Sequence, residues 1–444
     1  MAKLNDGQNP ARTFAGIVIP PELKTYHYYN LYFASLLVAC LITLPAVVQP
    51  AFLKDVINIP KEQSGSINSG LQNMGQIAWL LFTGAAGILS DKVGRRRLVI
   101  AGFLISGIFY VLFGYTKDIC LLMGVEGLGG QIVATYVIRF LIGIGIILTF
   151  PQIGTMCADY SYPPDRGKAM AYQGITISIG SMIVFGGLTQ VAKSAGLMSL
   201  FYIAGAACLI GILISVFGLV DRMPKEKASK ISMKELYKIV TKSIPLKVSY
   251  VVTVILRVDI LIIATYIIVW MVYAADKMGM SPVKATASGG IMLLIMSVVT
   301  LFAWPPIGIL LDKWGRTPVI LLSIASTSLG YFLIAATENP FSLPMYFYLS
   351  LIGIGFSAAT TGASALTADA SPKHLLGSIM GGMNALQSIG TLVFLQAGGI
   401  MLDEFGYWSP FLMKGIVNTA CGVWVLKVRK GIPFTPKQES MPAR

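Results

Sequence analysis

Apolar runs of about 18 or more residues recur along the whole of this chain, each long enough to cross some 30 Å of hydrocarbon as a helix. In lipid every backbone N–H and C=O must find a partner within its own segment, so helices are the element such runs form. Spans are expected near 27–52, 67–90, 97–116, 131–157, 168–191 and 199–220, then near 248–274, 286–311, 318–337, 344–367, 377–401 and 408–427. The composition agrees, since 12% charged residues is about half the share of a soluble chain. The first 25 residues are polar and carry prolines, so no cleaved signal peptide is expected.

A net charge of +14 invites a nucleic-acid partner, and counting by side removes the need for one. With twelve spans and both termini on one side, the segments on that side hold 25 of the 34 Lys and Arg. The opposite loops hold six, Lys54, Lys61, Lys117, Lys193, Lys277 and Lys284, and three stay within spans, Arg139, Arg257 and Lys414. Such a bias places the basic loops and both termini in the cytoplasm of a multi-pass protein of the cell (inner or plasma) membrane. The five cysteines are scattered without a CxxC pair and read as small core residues. The two histidines, His27 and His374, lie far apart, and neither HExxH nor a P-loop occurs. No enzyme, metal site or cofactor is expected.

The chain divides into a cytoplasmic segment 1–26, six spans over 27–220, a charged stretch 221–247, six spans over 248–427 and a tail 428–444. Within the charged stretch Leu236, Ile239, Val240 and Ile244 recur at helical spacing among lysines. This fits either a short helix lying on the membrane face or a solvated linker.

The two sets of six look duplicated. LIGIG at Leu141–Gly145 returns at Leu351–Gly355, an offset of 210. At the same offset Ala158, Asp159, Gly167 and Met170 meet Ala368, Asp369, Gly377 and Met380, while Gly196, Ser199 and Phe201 meet Gly406, Ser409 and Phe411. "GILSDKVGRR" (Gly87–Arg96) matches "GILLDKWGRT" (Gly308–Thr317) at an offset of 221. Internal repeats of six spans mark transporters that rock two bundles about a central site.

At Gly87, Leu89, Asp91, Lys92, Gly94, Arg95 and Arg96 the chain resembles the major facilitator superfamily, whose signature between spans 2 and 3 these residues fill. A degenerate copy keeps Gly308, Leu310, Asp312, Lys313, Gly315 and Arg316, and Arg139-x-x-x-Gly143-x-Gly145 is similar to a second signature in span 4. The resemblance implies an all-α membrane fold of twelve transmembrane helices in two pseudo-symmetric six-helix bundles. It also implies a conformational latch between the halves made by Gly87, Asp91, Gly94, Arg95, Asp312, Gly315 and Arg316. For Arg139 it implies a part in proton coupling. A Gly-Pro pair of the antiporter branches is missing from span 5, which reads Gly174–Gly187 without proline.

Ionisable groups in hydrocarbon usually mark a pathway. Arg139 lies roughly 12 Å inside span 4, at 1.5 Å per residue. In span 7, Arg257 and Asp259 stand about 200° apart on a helix, so one faces the cavity and the other a neighbour, or the helix breaks. Asp259 is expected to face the cavity with Tyr266, Trp270 and Tyr273 on its stripe, and to carry proton coupling with Arg139 as counter-charge. Lys414 reads as structural. Polar rows add Asn68, Gln72 and Gln76 in span 2, Ser357, Thr361 and Ser364 in span 10, and Asn384, Gln387, Ser388 and Thr391 in span 11, either as cavity residues or as helix-to-helix bonds. The substrate-binding candidates are Arg257, Tyr266, Trp270, Asn384, Gln387, Gln72 and Gln76.

The expectation is a monomeric secondary transporter working by alternating access, moving a small organic solute with protons as the coupling ion. The surplus of cations in the spans leans towards an organic anion. Efflux of amphipathic or cationic compounds is the alternative within transport, and a non-transporting sensor or scaffold the alternative outside it.

Overall fold

A computed structural model describes residues 12–222, 233–372 and 375–429. Residues 1–11, 223–232 and 430–444 therefore lie outside the described residues, as does His374.

The apolar runs fold as helices that overrun the hydrocarbon at their ends. The first half holds α1 (Thr25–Phe52, continued by a π turn over Leu53–Ile57), α2 (Ser64–Val93), α3 (Arg95–Gly114), a short α4 (Thr116–Leu122) and α5 (Leu128–Asp159). Its fifth span is α6 (Arg166–Met182), a π segment over Ile183–Leu188 and α7 (Thr189–Ala195), and its sixth is α8 (Met198–Gly218). A surface helix α9 (Met233–Lys242) leads to the second half. There the first span is broken into α10 (Ile244–Leu256) and α11 (Asp259–Ala274). The rest are α12 (Pro282–Trp314), α13 (Arg316–Ala335), α14 (Pro344–Ala370), α15 (Leu376–Phe405) and α16 (Ser409–Val428).

Eleven of these spans are both long and apolar enough to cross a bilayer. The twelfth, α2, has the length, 30 residues, and is polar because Asn68, Gln72, Asn73 and Gln76 sit on it. A membrane helix that carries four amides must turn them away from lipid. The chain is an all-α membrane protein of two six-helix bundles.

The duplication is visible in the packing. A Cβ on Gly145 would meet Ser106 and Gly102 of α3, and one on Gly355 would meet Ser323 and Thr327 of α13. Gly353 lies as tightly against α12, and Gly143 a little less so against α2, where a Cβ would stand 3.1 Å from Ala78. Each LIGIG run thus lets one helix be approached closely from two sides. Gly196 and Gly406 both take positive φ, and each offers its carbonyl to the serine three residues on, Ser199 and Ser409.

Every described hydrogen bond between the halves lies at the end opposite the basic loops. The Asp403 carboxylate accepts from the Gly65 and Ser66 amides (2.6 and 2.8 Å), at the first turn of α2 where the helix dipole favours an anion. Asn73 donates to the Leu392 carbonyl, and Lys54 reaches Asp276 at 2.7 Å. Gly65 and Gly399 touch backbone to backbone, since a Cβ on Gly399 would stand 2.6 Å from the Gly65 carbonyl. At the basic end no hydrogen bond or ion pair is seen to join one described residue of the first half to one of the second.

Two peripheral elements complete the fold. The helix α9 docks Ile239 and Val240 against Leu246, Tyr250, Ile379 and Met383 of the second half. Ahead of α1, Thr13–Phe14 and Ile17–Val18 form a small hairpin, with Phe14 stacked on Tyr28 and Tyr32 and Ile17 fully buried. The Val18 amide and then Lys168 hold the Asp165 carboxyl below its usual range and fix the hairpin to the start of α6. Strands of two residues leave no periodic trace, and nothing in the sequence foretold this hairpin.

The closed end rests on glycine, so Gly399→Val should push it open. Spin labels on the exposed Gln63 and Glu404, read by pulsed electron resonance, should show a longer inter-half distance in the variant than in the unsubstituted protein. An unchanged distance distribution would contradict the close approach.

Candidate functional site

Between the halves lies a cavity of about 470 Å³. The first half contributes Thr43, Gln72, Gln76, Trp79, Phe150, Arg139 and Ser181, and the second Leu261, Asn384, Gln387 and Ser388. Four of the amides read from the sequence, Gln72, Gln76, Asn384 and Gln387, therefore come together here. Asn68 instead accepts a bond from Gln49 inside the first half, and Ser357 and Thr361 bond back to their own helix. Thr43 and Ser181, 3.0 Å apart, were missed, because single hydroxyls in apolar runs give no periodic signal.

Arg139 is the charged residue on this wall. It is 5% exposed, and its Nη2 donates one long bond, 3.4 Å, to Gln72. Nε and Nη1 are buried without a partner. Gly75 lies beside it, and a Cβ there would be in van der Waals contact with Nη2 at 3.4 Å. Behind the guanidinium a small void of about 10 Å³ is lined by Gln49 and Tyr110, with room for about one water. The side chain thus presents two buried donors, Nε and Nη1, that no protein group accepts.

The span that carries Arg257 and Asp259 is broken between them, and the two side chains diverge, as the 200° rotation requires. The assignment is the reverse of the one expected. Arg257 points to the cavity side, where its Nη1 donates to Asn384 Oδ1 at 3.1 Å. Asp259 is fully buried inside the second bundle, 2.9 Å from the equally buried Lys414. Tyr331 and Asn418 donate to its two oxygens (3.1 and 3.2 Å). Lys414 also donates to the Ile255 carbonyl at 2.7 Å, one of those freed where α10 ends. The carboxylate and the ammonium therefore hold the break in place. Lys414 is structural, and by pairing Asp259 it removes that acid from the cavity wall.

The aromatic stripe is also corrected. Tyr266 donates to the Leu395 carbonyl and packs on Gly398, Trp270 stacks on Tyr407 at 6.2 Å, and Tyr273 donates to the Ile59 carbonyl at 3.0 Å. None of the three lines the cavity. They lie beyond the break, where α11 runs into the closed end, and they fill that closure.

The expected latch residues form ties within each half. Arg95 pairs with Asp159 and stands 4.0 Å from Asp91, whose side chain is 71% exposed. Arg316 pairs with Asp369 at 2.9 Å and stands 3.7 Å from Asp312. Asp159 and Asp369 are the pair aligned by the repeat, so each bundle ties its third helix to its fourth in the same way. Gly94 (φ +103°) and Gly315 (φ +82°) supply the positive φ of the two tight turns. A Cβ on Gly87 would meet nothing within 4 Å, so no close helix approach uses it in this state, where the basic ends stand apart.

Removing one member of the buried pair should cost far more than removing both. Asp259→Asn leaves a buried, unpaired ammonium and should lose about 3–5 kcal/mol, lowering the thermal midpoint. Asp259→Asn with Lys414→Met should recover most of that loss. Equal midpoints for the single and double variants would show that the pair does not hold the break.

Comparison with known proteins follows the geometry. A 27% identical relative, magnetosome protein MamH of Paramagnetospirillum magneticum, aligns over 92% of this chain and 94% of its own length. Magnetosome protein MamZ of the same organism is 26% identical over 87% of this chain, which spans 61% of MamZ. Among solved structures, the nucleoside transporter NupG superposes with a TM-score of 0.70 at 14% identity, covering 91% of this chain and 99% of NupG. A D-xylose–proton symporter gives 0.69 at 15% identity, covering 93% and 99%. At such identities the structural likeness speaks to fold alone. The family model described as Major Facilitator Superfamily matches residues 31–303 and 285–442. Twelve spans, the duplicated halves, the cavity between them and this match together place the chain in the major facilitator superfamily, as a membrane transporter of a solute and not an enzyme.

Proposed function

We propose that this transporter moves a small organic anion, one bearing a carboxylate, by alternating access, with Arg139 receiving the negative charge. The observation that carries the reading is the guanidinium itself, buried on the cavity wall with Nε and Nη1 unpartnered. A buried cation without a partner costs several kcal/mol, and an anionic solute removes that cost. Gln72, Gln76, Asn384 and Gln387 supply amide donors around it. A cationic cargo meets no carboxylate among the described cavity residues, which puts multidrug-type efflux second.

By the charge rule the basic end faces the cytoplasm of the cell membrane, so the cavity opens inward in this state, in a protein that works as a monomer. The exposed Asp91 and the bare Gly87 face are free to meet the other half when the basic ends close. Proton coupling forms the second part of the proposal. Asp259 is the carboxylate buried in mid-span, and a proton placed on it would release Lys414 and loosen the break that aims Arg257. In this reading Arg139 serves the solute, and Asp259 serves the proton.

Reconstitution into liposomes tests both parts. Arg139→Gln should weaken uptake of labelled carboxylates at low concentration by roughly 30-fold, the equivalent of about 2 kcal/mol for charge-assisted bonds, with the thermal midpoint retained. Undiminished carboxylate uptake, or uptake of choline in its place, would refute the anion reading. A proton gradient should drive accumulation in the unsubstituted protein. The folded double variant Asp259→Asn, Lys414→Met should exchange solute without accumulating it. Accumulation by that variant would remove Asp259 from the coupling.

A further inference from the structure

We infer that the solute carries two negative charges, on two carboxylates or on one phosphate, and that each half of the molecule turns one arginine to them, Arg139 from the first and Arg257 from the second. The inference rests on the anion reading above and narrows it. Arg257 sits at the break between α10 and α11, and its Nη1 bonds Asn384, itself a cavity residue. Asp259, two residues further on and the natural counter-charge, is wholly taken up by Lys414, Tyr331 and Asn418 on the other side of the helix. No ion pair to Arg257 or to Arg139 is formed among the described residues. Arg139 thus lines the cavity from the first half, and Arg257 stands at its edge on the second, each held by a single amide oxygen, Gln72 for Arg139 and the lining residue Asn384 for Arg257.

The arrangement has a consequence when the basic ends come together. Water leaves, the effective dielectric falls, and two like charges that were screened repel each other more strongly. A solute with one carboxylate neutralises one arginine and leaves the other stranded. A solute with two satisfies both and bridges the halves, so that the attraction which binds it also favours closure. The cavity, about 470 Å³, suits a short dicarboxylate or a phosphate, and arginine forms the paired bonds that such groups accept. The break held by Lys414 then has a purpose, because it turns Arg257 towards the cavity while keeping Asp259 away from it.

The test uses the purified full-length protein and its thermal midpoint at constant ionic strength, titrated with malonate, succinate, glutarate, inorganic phosphate and, as the single-charge control, butyrate. At least one of the doubly charged probes should raise the midpoint at a tenfold or more lower concentration than butyrate. Arg257→Gln should remove that advantage, and Arg257→Lys should restore part of it, since the charge is kept and the fork is lost. If butyrate acts at the same concentration as every doubly charged probe, or if Arg257→Gln leaves the advantage intact, the two-arginine clamp is wrong and the anion reading stands. If none of the five shifts the midpoint, both readings fail together.

Discussion

A charge that has been taken out of water must be given an opposite charge or a full set of hydrogen bonds, or it destabilises the structure around it. In this chain the rule is followed at most interior sites, and the pattern of compliance is what organises the molecule. Arg95 has Asp159, Arg316 has Asp369, and Lys414 has Asp259. Among the described residues, the buried Arg139 and the half-buried Arg257 are held by a single amide each. The paired charges fasten helices to one another within a bundle. The unpaired ones look into the space between the bundles.

The same division separates what the two halves share from what they do not. LIGIG glycines, the Gly-x-x-Ser turns and the arginine–aspartate ties occur twice, in matching places, and they build two stiff bodies. Arg139 has Leu349 as its repeat counterpart, and the Asp259–Lys414 pair holds open a helix that the first half continues without such a break. Stiffness is symmetric and the chemistry is not. The joint between the bodies is made at one end by short-range contacts, glycine on glycine and a carboxylate on a helix start, which bind in one position and give way as a set when the bodies rotate.

Much of this was legible in the residues. Span count, side of the basic loops and the internal repeat follow from hydropathy and charge, which are properties of the chain whatever its tertiary contacts. The amides at Gln72, Gln76, Asn384 and Gln387 were found because their spacing puts them on one helix face. The facing of Asp259 was not legible. Its rotation relative to Arg257 was fixed by geometry, but which of the two turned inwards depended on Lys414, far along the chain, and on a break in the helix that the apolar run conceals. Tyr266, Trp270 and Tyr273 were misplaced for the same reason, since an unbroken helix would have carried them along with Asp259. The latch between the halves that the resemblance implied is not formed here, where Arg95 and Arg316 tie helices within each half, and a sequence belongs to every state at once.

An arginine left without a counter-charge on a cavity wall is a statement about what the cavity is for, and the loaded protein is where that statement can be seen directly. The decisive measurement is a structure determined with a bound dicarboxylate. The account predicts solute oxygens within hydrogen-bonding distance of Arg139 Nε or Nη1, with the second carboxylate at Arg257. A loaded structure in which Arg139 pairs with a carboxylate of the protein, or in which the solute sits elsewhere and the guanidinium keeps only Gln72, would contradict it.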